Sequence, residues 1–397
     1  MRSSAMACAA ALILGVTAPV QAESARGWEA DVMDVPEAHR SARGKGVKVA
    51  VLDTGVVDRH PALRGRVIQG PDLIGGGAKP GQSYWGGHGT AMAYNVLSVA
   101  PEARVLSVRA LWENEDPARE RQIEAIRKFY ETGKADAQTM RAVTALPRAI
   151  RYAADQGADI VSMSIGSDEW EGLRDYEHDV AAAVNYALGK GVVLIAAAGN
   201  GGSTDRMDTD ANNTVSYPAA YPGIIAVAAM SREGRRAQFS QVHAYNTVAA
   251  PGTEIYSADI KGGLRPVQGT SPACALTAGV VALMLSRNPD LSPGQVRQIL
   301  TTTARKPPNG YTIFLGFGLV NAAAAVRAAG SMKGAEAAAA PYNGKDFFDG
   351  GPTDQPGTNP PIDGQYLFFG GIGLGVASLC WLVAFLLLRR PRRTRQS

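Results

Sequence analysis

Four residues of this 397-residue chain stand in settings that suit acyl-transfer chemistry: Asp53, His88, Asn200 and Ser271. Asp53 follows directly on the apolar run 47–52, in Val51-Leu52-Asp53-Thr54-Gly55. A carboxylate at the carboxyl end of a buried strand can fix the tautomer of a histidine and stabilise its protonated form. Taken alone, an aspartate before Thr-Gly is equally well a turn residue. His88 is one of five histidines and sits between Gly87 and Gly89, just ahead of an apolar stretch. Ser271, in Gly269-Thr270-Ser271-Pro272-Ala273, opens another apolar stretch. The unpaired N–H groups and positive dipole at a helix start favour a developing oxyanion, although a plain helix cap also explains a serine there. Asn200, in Ala198-Gly199-Asn200-Gly201, follows a further apolar run. Its amide can donate to the same oxyanion or simply make a turn.

Other chemistries fit less well. A helical metal site needs ligands such as two histidines four residues apart, and no such pair occurs among His39, His60, His88, His178 and His243. No metal and no cofactor is therefore expected. An esterase of the α/β-hydrolase kind places its serine in Gly-x-Ser-x-Gly with the histidine last in the chain, and this sequence does neither. The net charge of +4 is small, and five arginines fall in the last nine residues, so nothing points to nucleic acid.

These residues need a framework. Short apolar runs at 47–52, 103–108, 159–163, 192–197 and 224–228 have the look of buried strands. Helical stretches at 146–156 and 178–189 alternate with them, which predicts an α/β fold with a mostly parallel sheet and helices on both faces. Two further helices are expected from Ser271 to about Ser286 and from Ser292 to about Ala304, each with a capping serine followed by proline. Residues 113–140 are charged and helical in propensity, which reads as a surface insertion or a partner-binding element.

Both ends carry membrane signals. Residues 1–22 read as a signal peptide, with Arg2, an apolar stretch and a small-residue cleavage site ending at Ala22. An extension, 23–46, precedes a domain at 47–330. Residues 331–365 hold five prolines and six glycines and read as a linker. Residues 366–388 contain no charge over 23 positions, enough for a helix to cross the roughly 30 Å hydrocarbon core. The arginine-rich tail 389–397 marks the cytoplasmic side, which puts the domain outside a cell membrane on a single-pass anchor. Of the three cysteines only Cys274 lies in the domain, so no internal disulfide is expected there.

Taken together and in order, Asp53-Thr54-Gly55, His88-Gly89-Thr90 and Gly269-Thr270-Ser271 resemble the motifs of the subtilisin-like serine proteases, over about residues 47–330. The resemblance implies the three-layer subtilisin-like fold, with Asp53, His88 and Ser271 as triad and Asn200 as oxyanion donor. It implies that Ser164-Ile165-Gly166 pair with an extended protein or peptide substrate and that Ala197-Ala198-Gly199 form the opposite wall of the pocket. The layout of signal, short extension, linker, span and basic tail is similar to the mycosins, membrane-anchored proteases of type VII secretion, which implies that machinery as a partner. A structural or scaffolding subunit of a secretion complex with latent proteolysis is the alternative. Three departures stand out: Tyr94 replaces a small residue and is expected to crowd the site, the two mycosin disulfides are absent, and the extension is too short for a full folding prodomain. No calcium loop is recognisable.

Overall fold

The apolar run 47–52 forms β1 (Lys48–Asp53), and its side chains divide by parity. Val49 and Val51 enter one apolar cluster while Ala50 and Leu52 enter another, as the two-residue period of a strand requires. A strand buried on both faces belongs inside a sheet that helices cover on either side. The computed structural model describes residues 27–166, 176–203, 213–333 and 364–388. The expected signal segment, the basic tail and all but the ends of the 331–365 linker lie outside them.

The chain opens with α1 (Trp28–Val32) and α2 (Val35–Ala38), then β1, β2 (Val67–Asp72), α3 (Gly87–Val99) and β3 (Arg104–Arg109). The segment after β3 holds α4 (Arg119–Thr132) and α5 (Ala137–Val143), followed by α6 (Ala145–Asp155), β4 (Ile160–Met163) and α7 (His178–Gly189). Strands β5 (Val193–Ala197), β6 (Ile225–Met230) and β7 (Asn246–Pro251) complete a seven-stranded parallel sheet in the order β2-β3-β1-β4-β5-β6-β7. A hairpin of β8 (Ile255–Ala258) and β9 (Leu264–Val267) precedes α8 (Thr270–Arg287), α9 (Pro293–Thr303) and α10 (Ala322–Ser331). Side chains of α3, α8, α9 and α10 fill the cluster on one face of the sheet, and those of α6 and α7 fill the cluster on the other. This is the α/β layering expected from the alternation of runs, and it takes the three-layer form that the resemblance implies.

All five expected strands are present. The edge strands β2 and β7 escape a reading based on apolar runs, because β2 contains Gly70 and Pro71 and β7 ends on a proline. Such residues are tolerated at sheet edges. The expected cap of α8 is corrected: the helix starts at Thr270, with Gly269 at the N-cap, so Ser271 lies inside the first turn. Ser292 does cap α9, in a reciprocal capping box with Gln295.

Residues 28–46 of the expected extension fold onto the domain. Met33, Val35 and Ala38 are buried in the larger cluster. The N–H of Ala322 donates to the carbonyl of Met33 at 2.7 Å, and Asp34 receives Arg305 at 2.6 Å and Asn321 at 2.8 Å. The charged segment 113–140 forms two helices on the surface. They are attached by a small cluster of Ile74, Trp112, Ile126, Ala142 and Ala145, and α4 itself buries only Ile126. The C-terminal helix α11 (Gly364–Leu388) differs from α8, the other described helix long and apolar enough to cross a membrane. Helix α8 is mostly inside the protein, whereas 367–388 is exposed along its whole length, making it a candidate membrane span.

Two stability predictions follow from the packing. A Cβ on Gly279 of α8 would lie 2.6 Å from Cβ of Val99 and 2.9 Å from the carbonyl oxygen of Val96, both on α3. Gly279→Ala is expected to lower stability by about 1–3 kcal/mol, seen as a lower urea midpoint, while Gly294→Ala at an exposed position of α9 is not. His243 is buried, stacked on Tyr245 at 4.4 Å, with Nε2 facing Thr214 O at 2.8 Å. Burial pushes its pKa down to about 4. The unfolded chain, titrating near 6.5, then binds the proton first, so this stability is full above about pH 6.5 and falls by about 1.4 kcal/mol per pH unit down to about 4. Urea midpoints measured across that range are expected to fall with acid, and less steeply in His243→Gln.

Candidate active site

Strand β1 lies between β3 and β4, so its carboxyl end opens at the middle of the sheet. Asp53 is the last residue of that strand and is fully buried. Its Oδ1 accepts from the Thr54 N–H at 2.7 Å. Both carboxylate oxygens face His88 Nδ1, at 2.8 and 3.0 Å. That contact assigns the tautomer, with the proton on Nδ1 and Nε2 left to act as base. The His88 side chain is 36 % exposed, so the ring has one edge on buried charge and the other on the cleft.

His88 is placed by the start of α3. The helix begins against the loop after β1, and a Cβ on Gly89 would lie 2.1 Å from Gly55 O. Only glycine permits that approach. Thr54 Oγ1 accepts from the Gly89 N–H at 3.1 Å, and Thr90 Oγ1 accepts from the Val57 N–H at 2.8 Å, which stitches helix to loop.

Ser271 comes from the other long helix of the same layer. Gly269 precedes it with φ 147°, a conformation open to glycine, and its N–H donates to Gly252 O at 2.9 Å. Asn200 Oδ1 accepts from the backbone N–H of Thr270 at 2.8 Å and from Thr270 Oγ1 at 3.0 Å. The oxygen end of the amide is thus committed to the helix start, and the nitrogen end is the donor. Ser164 Oγ donates to Ser271 O at 3.0 Å, and Ser271 Oγ donates to Ser164 O at 3.4 Å. His88, Ser164, Ile165, Gly166, Asn200 and Ser271 all line one cleft.

The remaining expectations fare differently. Ala197, Ala198 and Gly199 lead directly into Asn200, and the side chains of Ala197 and Ala198 are buried in the interior. Gly199 meets Gly166 back to back, where a Cβ on Gly166 would be 3.1 Å from Gly199 Cα, and its N–H donates to Thr270 Oγ1 at 3.1 Å. Tyr94 does not crowd the cleft. It packs into the core on the side of α1, close enough to the Glu29 carboxylate for that charge, after burial, to raise its pKa. Among the described residues no group of His, Cys, Asp and Glu is arranged to hold a metal. Cys274, one helical turn beyond Ser271, is a free thiol that burial pushes up to about 12, which leaves it unreactive.

One residue of the cleft was not legible in the sequence. Glu113 Oε1 accepts from Thr54 Oγ1 at 2.5 Å and from the His88 N–H at 2.9 Å. Burial raises the pKa of this carboxyl, and the two hydrogen bonds pull the other way. It opens a charged run in which every carboxylate looks like a surface residue, so no local signal distinguishes it.

The framework and the cleft are those of a known family. The subtilase family, Peptidase S8, matches residues 44–319. Thermitase of Thermoactinomyces vulgaris is 33% identical over 315 residues, covering 77% of this chain and 97% of thermitase. The crystal structure of MycP1 from Mycobacterium smegmatis superposes with a TM-score of 0.59 at 27% identity, covering 80% of this chain and 87% of MycP1. MycP3, a protease from the type VII (ESX-3) secretion system, gives a TM-score of 0.58 at 29% identity, covering 75% and 87%. The chain belongs to the subtilase family of serine endopeptidases, on its mycosin-like branch.

Proposed function

We propose that Asp53, His88 and Ser271 act as a catalytic triad that cleaves peptide bonds of exported or cell-surface proteins through an acyl-enzyme. The observation that carries this reading is the two-oxygen contact of the buried Asp53 carboxylate with His88 Nδ1. In the reaction, the Ser271 hydroxyl turns from Ser164 O toward His88. His88 Nε2 removes its proton as Oγ adds to the scissile carbonyl carbon. The positive charge that forms on the imidazole is balanced by Asp53. Negative charge gathers on the carbonyl oxygen and is met by the Asn200 amide and the N–H of Ser271. His88 then protonates the departing amine, and a water molecule repeats the sequence to release the acid. Ser164, Ile165 and Gly166 offer the extended edge along which a substrate backbone lies.

The working location follows from the two ends of the chain. Helix α11 exposes an uninterrupted apolar surface, and Arg389, Arg390, Arg392, Arg393 and Arg395 come directly after it. In this reading α11 crosses the cell membrane once, the arginines stay inside, and the catalytic domain stands outside. The likeness to MycP1 and MycP3 supports a type VII secretion machinery as its setting.

A fluorophosphonate probe applied to the full-length chain in membranes is expected to label the wild type and not Ser271→Ala. Equal labelling of both would remove Ser271 from its role, and an unlabelled wild type would favour the scaffolding alternative. With a peptide substrate, Asp53→Asn is expected to lower kcat by about 10⁴-fold. Asn200→Leu is expected to lower it about 10²- to 10³-fold, with little change in KM.

A further inference from the structure

Glu113 lies just beyond β3, where the chain enters its charged segment, and its side chain returns toward the N-terminal turn of α3. The residue is only 8% exposed. Its Oε1 receives two hydrogen bonds, from Thr54 Oγ1 and from the His88 N–H. Thr54 is also bonded to Asp53 through its own N–H and to Gly89 through Oγ1. One carboxylate oxygen therefore gathers the residue after Asp53 and the backbone of His88. It does so without entering the Asp53–His88 bond. The packing leaves little slack, since a Cβ on Gly87 would stand 3.3 Å from the same oxygen. A desolvated carboxylate is costly, and an apolar residue would fill the space at less cost.

We propose that Glu113 is a positioning residue for the catalytic base: it clamps the start of α3 to the loop after β1, and its negative charge favours the protonated form of His88. This rests on the triad reading above. The charged neighbours are Asp53 from β1, His88 from α3, Glu115 and Arg119 on the segment of Glu113, and Arg265 from β9 across the cleft. Asp53 opposes ionisation of Glu113, while protonated His88 favours it. The two functions of the residue separate by substitution. Glutamine keeps an acceptor oxygen and loses the charge; alanine loses both.

The test uses the full-length chain in detergent micelles with isotopically labelled histidine, in a Ser271→Ala background that removes self-digestion. Adding Glu113→Gln is expected to move the His88 titration to lower pH, by on the order of half a unit. In the active enzyme, the acid limb of kcat/KM is expected to move the same way. Glu113→Ala is expected to lower the plateau kcat by about 10- to 100-fold with KM nearly unchanged, because the base is misplaced rather than the substrate. Glu113→Gln is expected to lose less than Glu113→Ala. An unmoved His88 titration in Glu113→Gln, or a full plateau kcat in Glu113→Ala, would overturn the proposal. If Glu113→Ala does not fold, the glutamine titration decides. That titration is read without turnover, so failure of this proposal is distinguished from failure of the protease assignment, which an unlabelled wild type would show.

Discussion

A carboxylate with no exposed surface needs hydrogen-bond donors where no water can supply them, and Asp53 is such a group. It ends an interior strand of a sheet covered on both sides, so its donors must come from the protein. The Thr54 N–H supplies one and His88 the other. For His88 to arrive, α3 must begin against the loop after β1, and Gly89 must lack a side chain to let it. Helix α3 then lies along α8, with Gly279 giving the room, and α8 presents Ser271 at its first turn. Placing one buried charge in this way fixes the start of two helices and brings His88 and Ser271 to one cleft.

The same cleft shows why the polar groups around the reacting atoms are so fully engaged. Asn200 holds its oxygen on the N–H and hydroxyl of Thr270, and Ser164 and Ser271 exchange hydrogen bonds between side chain and backbone. Each bond commits one end of a group and so orients the other. Orientation set before the substrate arrives costs nothing at the moment of reaction.

Much of this was legible in the residues themselves. The five buried strands announce themselves because both faces are apolar, and the four chemical residues because each has a glycine within two positions and lies at one end of an apolar run. What the sequence hides has physical reasons. Strands β2 and β7 end the sheet, where proline and glycine are tolerated. The true start of α8 is displaced because a glycine with positive φ, rather than the serine, ends the extended segment. Ala197 and Ala198 match a motif by position, yet their small apolar side chains are taken up by the core. Glu113 is hidden for the opposite reason: its neighbours in sequence are solvated charges, and only the fold turns it inward. Tyr94 was expected to crowd the cleft because helix position alone does not give the side of the helix.

The contact between the first and last helices of the domain has a consequence for how the chain acquires its structure. Asp34 meets Asn321 across 287 residues, and Met33 meets Ala322 beside it. Contacts so distant in sequence are entropically late, because the loop they close must already be compact. A ribosome delivers residue 33 long before residue 322. The buried side chains of α1 and α2 therefore wait, uncovered, until α10 has emerged. Completion of the domain at its carboxyl end is what shelters its amino end, so an interrupted chain displays an apolar N-terminal segment that the finished protein conceals.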